Sequence, residues 1–126
     1  RSWRVSKGLS ASFYYAFKGI AYTFSSQRNF RIQTTFGVVA LVLGMWLNLS
    51  VEKFAIIIFV VALVLILELL NTALEAVVDL AIGRRFHPLA RIAKDCAAGA
   101  VLIAAIGSSL VALLLIIPPA LTRLGI

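Results

Sequence analysis

The apolar positions of this chain fall into long uninterrupted runs. Ile32 to Val51 carries no charged residue, with Asn48 and Ser50 near its end. At about 1.5 Å per residue a helix of that length crosses a hydrocarbon core of about 30 Å, so the run predicts a first membrane span over 32–51. Phe54 to Leu67 is apolar throughout, and helical spacing continues through Glu68, Asn71, Glu75 and Asp79 until Gly83 stops it. A helix over 54–82 would be about 45 Å long, so its final turns should emerge into water. Ala97 to Leu121 is again free of charge and is broken only near its end by Pro118 and Pro119. It predicts a third span over 95–121.

Ahead of the first run the period changes. Leu9, Phe13, Phe17, Ile20 and Phe24 fall within one arc at about 100° per residue, with Lys7, Tyr14, Lys18 and Ser25 opposite. This predicts an amphipathic helix over about 4–25. Its apolar arc can rest on the membrane surface or pack against the chain's own spans.

Composition agrees with lipid as the main solvent. The 126 residues are 62% hydrophobic and 13% charged, and the mean hydropathy is +1.03, outside the range of soluble globular domains. The length allows one domain, 1–126, with no separate soluble catalytic module, so chemistry must sit on the helices or in short loops. The fold class expected is all-α: a surface helix and three transmembrane helices. Cys96, the single cysteine, permits no internal disulfide and reads as a packing residue. The basic and aromatic first residues do not read as a cleavable signal peptide.

Arg1, Arg4, Lys7, Lys18, Arg28 and Arg31 precede the first run, and Arg84, Arg85, Arg91 and Lys94 lie between the second and third. The other ends hold only Glu52, Lys53 and Arg123. Lysine and arginine beside membrane spans stay on the cytoplasmic side, which puts the N-terminus inside and the C-terminus outside. The net charge of +7 is thus mainly a topology signal, with attraction to membrane lipids and polyphosphate. It does not point to nucleic acid.

Glu68, Asn71, Thr72, Glu75 and Asp79 recur every three or four residues and share one side of the second helix. Carboxylates at membrane depth are expensive and face a bundle interior or a wet cavity. Polar side chains also glue membrane helices, which is the structural alternative for Asn71 and Thr72. If about twenty residues from Phe54 fill the core, Glu68 lies roughly 8 Å inside its cytoplasmic boundary, where a lipid alcohol presents its hydroxyl. A carboxylate there suits a general base, and Glu75 and Asp79, nearer water, suit a soluble polyphosphate and its Mg²⁺.

Lys94 and Asp95 are expected at the N-terminus of the third span, where free amides favour a phosphate, with Asp95 otherwise a plain N-cap. Arg84, Arg85, His87 and Arg91 lie nearby, although His87 before Pro88 also reads as a solvated loop residue. Ala97, Ala98, Gly99, Ala100, Ala104, Ala105 and Gly107 offer a small-residue surface for close helix packing.

With Glu68-Leu-Leu-Asn71-Thr72-Ala-Leu-Glu75-Ala-Val-Val-Asp79 and His87-Pro-Leu-Ala-Arg-Ile-Ala-Lys94-Asp95, the chain resembles the small membrane diacylglycerol kinase and undecaprenol kinase family. Tyr15 followed by Phe17-Lys18-Gly19, and Arg28-Asn29-Phe30-Arg31, extend the resemblance over nearly the whole chain. It implies a homotrimer with an active site shared between neighbouring subunits, in a bacterial inner or plasma membrane. It also implies transfer of the γ-phosphate of ATP to diacylglycerol or undecaprenol with Mg²⁺. By the same resemblance Glu68 matches the base and Glu75 a metal carboxylate. Asn71, Asp79 and Arg31 match supporting polar positions. Tyr15, Arg85, His87, Lys94 and Asp95 match nucleotide-binding positions, as do Glu75 and Gln27.

Two departures stand out. Gln27 takes the place of the second metal carboxylate, and an amide oxygen can ligate Mg²⁺ without adding negative charge. Arg85 stands where some members hold an acidic group near the nucleotide sugar. Two rival readings remain: a catalytically degenerate scaffold subunit, for which Gln27 argues, and an ion pathway along the acidic face.

Overall fold

The computed structural model describes residues 8–126. Arg1, Arg4 and Lys7 of the charge pattern, and the first residues of the predicted surface helix, lie outside the described residues. Every element among the described residues is helical: α1 (Gly8–Ser26), α2 (Arg28–Trp46), α3 (Val51–Ile82) and α4 (Pro88–Arg123). α3 and α4 are long and apolar enough to cross a membrane. α2 has 19 residues but opens on Arg28, Asn29, Arg31 and Gln33, which lowers its mean hydropathy.

The predicted boundaries shift for local reasons. The first run, expected as one helix over 32–51, is helical only to Trp46, and a turn follows with Asn48 at φ +54°, a conformation asparagine tolerates. Ser50 then caps α3, its hydroxyl accepting from the Lys53 amide at 3.4 Å, so the second helix starts at Val51 rather than at 54. Gly83, at φ +61°, ends it as expected, because that backbone is strained for other residues. α4 starts at Pro88 instead of 95, since proline at the first helical position has no amide to leave unpaired. The helix also continues through Pro118 and Pro119. The Thr122 hydroxyl donates to the Pro118 carbonyl at 3.2 Å, one turn beyond the carbonyls that the two prolines leave without amide partners.

α4 packs most extensively on α3, α2 lies against α3 and also touches α4, and α1 touches α2 and α3. The core is thin: Phe30, Ile57, Val64, Val78 and Ala104 are its buried apolar residues. Between α3 and α4 the Ser108 hydroxyl donates to the Val60 carbonyl at 3.1 Å, a hydrogen bond of the sort that joins helices in lipid.

Of the small residues of α4, Ala104 is buried and Ala97 and Ala105 are partly buried, whereas Gly99 and Gly107 face open space. Tight contact occurs instead at Gly37 and Gly44 of α2, beneath Val61 and Phe54 of α3. A Cβ on Gly37 would stand 2.6 Å from Val61 Cγ1. Gly37→Leu is therefore expected to destabilise the fold by about 1–3 kcal/mol, the usual effect of overpacking. Thermal unfolding in detergent checks this, with Val61→Ala restoring part of the loss; an unchanged midpoint contradicts the packing.

On α1 the arc is most exposed at Leu9, Phe13 and Phe17, whereas Phe24 meets Phe30 of α2 edge-on and Ile20 borders α3. The buried residue of this helix is Thr23, whose hydroxyl donates to the Gly19 carbonyl at 2.9 Å. The exposed apolar part of this arc suits a helix lying in a lipid interface.

Candidate active site

The polar residues of α3 form a graded series from buried to exposed. Glu68 is 4% exposed, and its Oε2 is buried without a hydrogen-bond partner. Asn71 Oδ1 is in the same condition. Thr72 is buried, and its hydroxyl donates to the Glu68 carbonyl at 3.0 Å, closing the turn between them. Glu75 is half-buried and Asp79 exposed. A buried acceptor left unpaired costs about 1–3 kcal/mol. Glu68 and Asn71 are thus built to accept from a donor that the described residues of this chain do not supply.

Between α1 and α3 is an apolar cavity of about 450 Å³ lined by Tyr15, Ile20, Thr23, Leu69, Thr72 and Ala76 among others, so that Thr72 is the member of the polar series that borders it. Tyr15 and Thr72 thus border the same cavity. The sequence reading missed Thr23.

A second cavity, about 280 Å³, sits at the turn between α3 and α4. Asp79, Arg84, Arg85, His87, Arg91 and Lys94 line it, together with Phe86. Lys94 Nζ donates to Asp79 Oδ1 at 2.7 Å, and Arg91 Nη1 to Asp95 Oδ1 at 3.3 Å. His87 is the N-cap of α4: its Nδ1 accepts from the Leu89 amide at 3.1 Å. That bond leaves Nε2 to carry the proton of the neutral ring.

Two expectations are corrected here. Lys94 and Asp95 lie about two turns inside α4, so their amides belong to the helix and no free helix N-terminus stands at them. Asp95 is not an N-cap, because His87 holds that position. The positive character of the cleft comes from side chains, four of them cationic.

Gln27 and Arg31 lie at the junction of α1 and α2. Gln27 has an extended backbone and its amide makes no capping bond. Arg31 Nη1 donates to the Phe24 and Ser25 carbonyls at 2.7 and 3.1 Å, closing the C-terminus of α1. Among the described residues no three His, Cys, Asp or Glu side chains gather into a metal cluster. Mg²⁺ carried on a nucleotide needs only one or two carboxylates, with phosphates and waters completing its shell. Half-buried Glu75 supplies one such carboxylate, and Gln27 offers a neutral amide oxygen at the junction of α1 and α2.

Within one chain the two halves of the site are separated. Glu68 and Asp79 are eleven residues apart on one helix, about 16 Å along its axis, with Glu75 between them.

The model of the prokaryotic diacylglycerol kinase family matches residues 14–116. The chain belongs to this family. A diacylglycerol kinase of Synechocystis sp. is 50% identical over 121 residues, which cover 96% of this chain and 69% of that protein. An undecaprenol kinase of Bacillus subtilis is 41% identical over 107 residues, 85% of this chain and 86% of its own. A diacylglycerol kinase of Escherichia coli K12 is 39% identical over 92 residues, 73% and 75% of the two chains. Membership in the prokaryotic diacylglycerol kinase family makes this protein a lipid kinase, which implies a nucleotide co-substrate.

Proposed function

We propose that this lipid kinase is a single domain over 1–126 that transfers the γ-phosphate of ATP to the hydroxyl of a membrane-embedded alcohol, diacylglycerol or undecaprenol. In this reading α2, α3 and α4 all cross the membrane, the N-terminus is cytoplasmic, and α1 floats on the inner surface of a bacterial inner or plasma membrane. The carrying observation is Glu68, buried on the polar face of α3 with an unpartnered carboxylate oxygen.

The roles follow from what phosphoryl transfer needs: alignment, charge neutralisation on the phosphates, and a proton acceptor. Glu68 accepts the proton of the lipid hydroxyl, and Asn71 Oδ1 beside it orients that hydroxyl or a water. The α1–α3 cavity takes the apolar part of the acceptor next to the hydroxyl. Lys94, positioned by Asp79, holds phosphate oxygens in the α3–α4 cleft, where His87 Nε2–H and Arg85 add donors. Tyr15 and Asp95 complete the nucleotide contacts that the family resemblance implies. Glu75, with the Gln27 amide, would hold Mg²⁺, which supplies charge neutralisation on the β- and γ-phosphates.

The axial gap of about 16 Å between Glu68 and Asp79 favours a site completed between copies. The base of one subunit then works with the cleft of the next, in a homotrimer. The unpaired acceptors at Glu68 and Asn71 support the same arrangement.

Labelled ATP and Mg²⁺, supplied to the purified protein in mixed micelles with diacylglycerol and undecaprenol in parallel, tests the reading. Preferential labelling of one lipid names the acceptor. No labelling of either by a folded protein contradicts the reading and leaves a catalytically degenerate scaffold, for which the neutral Gln27 would then account.

A further inference from the structure

The α3–α4 cleft holds a cation that neither the acidic face nor the family resemblance accounts for. Arg91 lines the same cavity as Lys94 and lies three residues before it on α4, so the two share a face. Lys94 is already neutralised by Asp79 at 2.7 Å. Arg91 is held by Asp95 through one contact, Nη1 to Oδ1 at 3.3 Å. A guanidinium carries five N–H donors in a rigid plane, so that contact leaves most of its edge free for another acceptor. The Arg91–Asp95 pair is well exposed, with side chains 65% and 63% accessible, and pairs of that kind add little stability. A contact that weak leaves the guanidinium available to a stronger acceptor. A planar fork matches phosphate oxygens two at a time, whereas an ammonium acts as a point charge.

We propose that Arg91 binds the terminal phosphates of the nucleotide beside Lys94. The cleft then grips the triphosphate with a fork and a point charge on one helix face. This rests on the placement of ATP in the α3–α4 cleft.

The test is equilibrium binding of fluorescent ATP and AMP analogues to the full chain in lipid nanodiscs. Wild type, Arg91→Gln, Arg91→Lys and Lys94→Gln are compared. Arg91→Gln is expected to weaken ATP binding about tenfold or more, the usual loss of a hydrogen bond to a charged group. AMP, which lacks the terminal phosphates, should bind within about twofold of wild type on the same argument. Arg91→Lys should recover part of the loss, since it keeps the charge and removes the fork. If Arg91→Gln binds ATP like wild type, or loses ATP and AMP equally, while Lys94→Gln is impaired, the role of Arg91 is overturned and the cleft stands. If wild type binds no ATP, or Lys94→Gln binds it normally, the placement of ATP in the cleft fails, and Arg91 with it.

Discussion

Replacing Glu68 by Gln is expected to lower kcat by about 10²–10⁴-fold, the range a positioned general base contributes. ATP affinity should stay within a few-fold. Glutamine has nearly the same shape, so the surrounding packing keeps its form, but its amide cannot take up the proton. The nucleotide cleft is about 16 Å away along α3, too far for the substitution to disturb phosphate contacts in the same chain. Thermal stability should hold or rise, because a buried carboxylate oxygen without a partner is a liability to the fold. Steady-state kinetics, ATP binding and thermal unfolding on the same preparation check all three. A fully active Glu68→Gln protein contradicts the assignment. Inactivity accompanied by a large loss of stability would make Glu68 a packing residue.

Lys94→Gln should produce a loss of different character: kcat/KM for ATP falling about 10²–10³-fold, comparable to removal of one donor from an anion-stabilising site. It removes the cation expected at the phosphates and leaves Asp79 unpaired at the mouth of the cleft. The Lys94–Asp79 pair is partly exposed, so its contribution to folding is at most about 1 kcal/mol. Asp79→Asn frees Lys94 without removing it and should be milder. Kinetics over a range of ATP concentrations separate the two variants, and equal losses in both would mean that the pair acts only as a unit. An active Lys94→Gln enzyme with normal KM for ATP removes the cleft from the mechanism.

The sequence made the helices legible more readily than their ends. Hydropathy marks how deep a residue lies in lipid, whereas a helix continues as long as its amides find carbonyls. Arg28 to Arg31 are polar and still helical, so α2 starts before the apolar run. Asn48 to Ser50 look membranous and yet form a turn, because Ser50 begins the next helix. Pro88 marks the start of α4, a signal outweighed in the sequence by the charge of Lys94 and Asp95.

At the site, the three- and four-residue spacing from Glu68 to Asp79 was legible because a helix converts spacing directly into a face. The Lys94–Asp79 bond joins residues fifteen apart across a turn, and only the geometry that Gly83 and His87 impose on that turn brings them together. Thr23 and Gly37 were missed for another reason: their importance lies in what packs against them, which no periodicity within one helix records.

The most direct test of direct transfer from ATP to the lipid, with Glu68 as base and not nucleophile, is the stereochemical course at phosphorus. The enzyme is given ATP made chiral at the γ-phosphate with oxygen isotopes, and the configuration of the phosphorylated lipid is read. A single in-line displacement predicts inversion. Net retention would mean two displacements through a phosphorylated enzyme group, and would contradict the account.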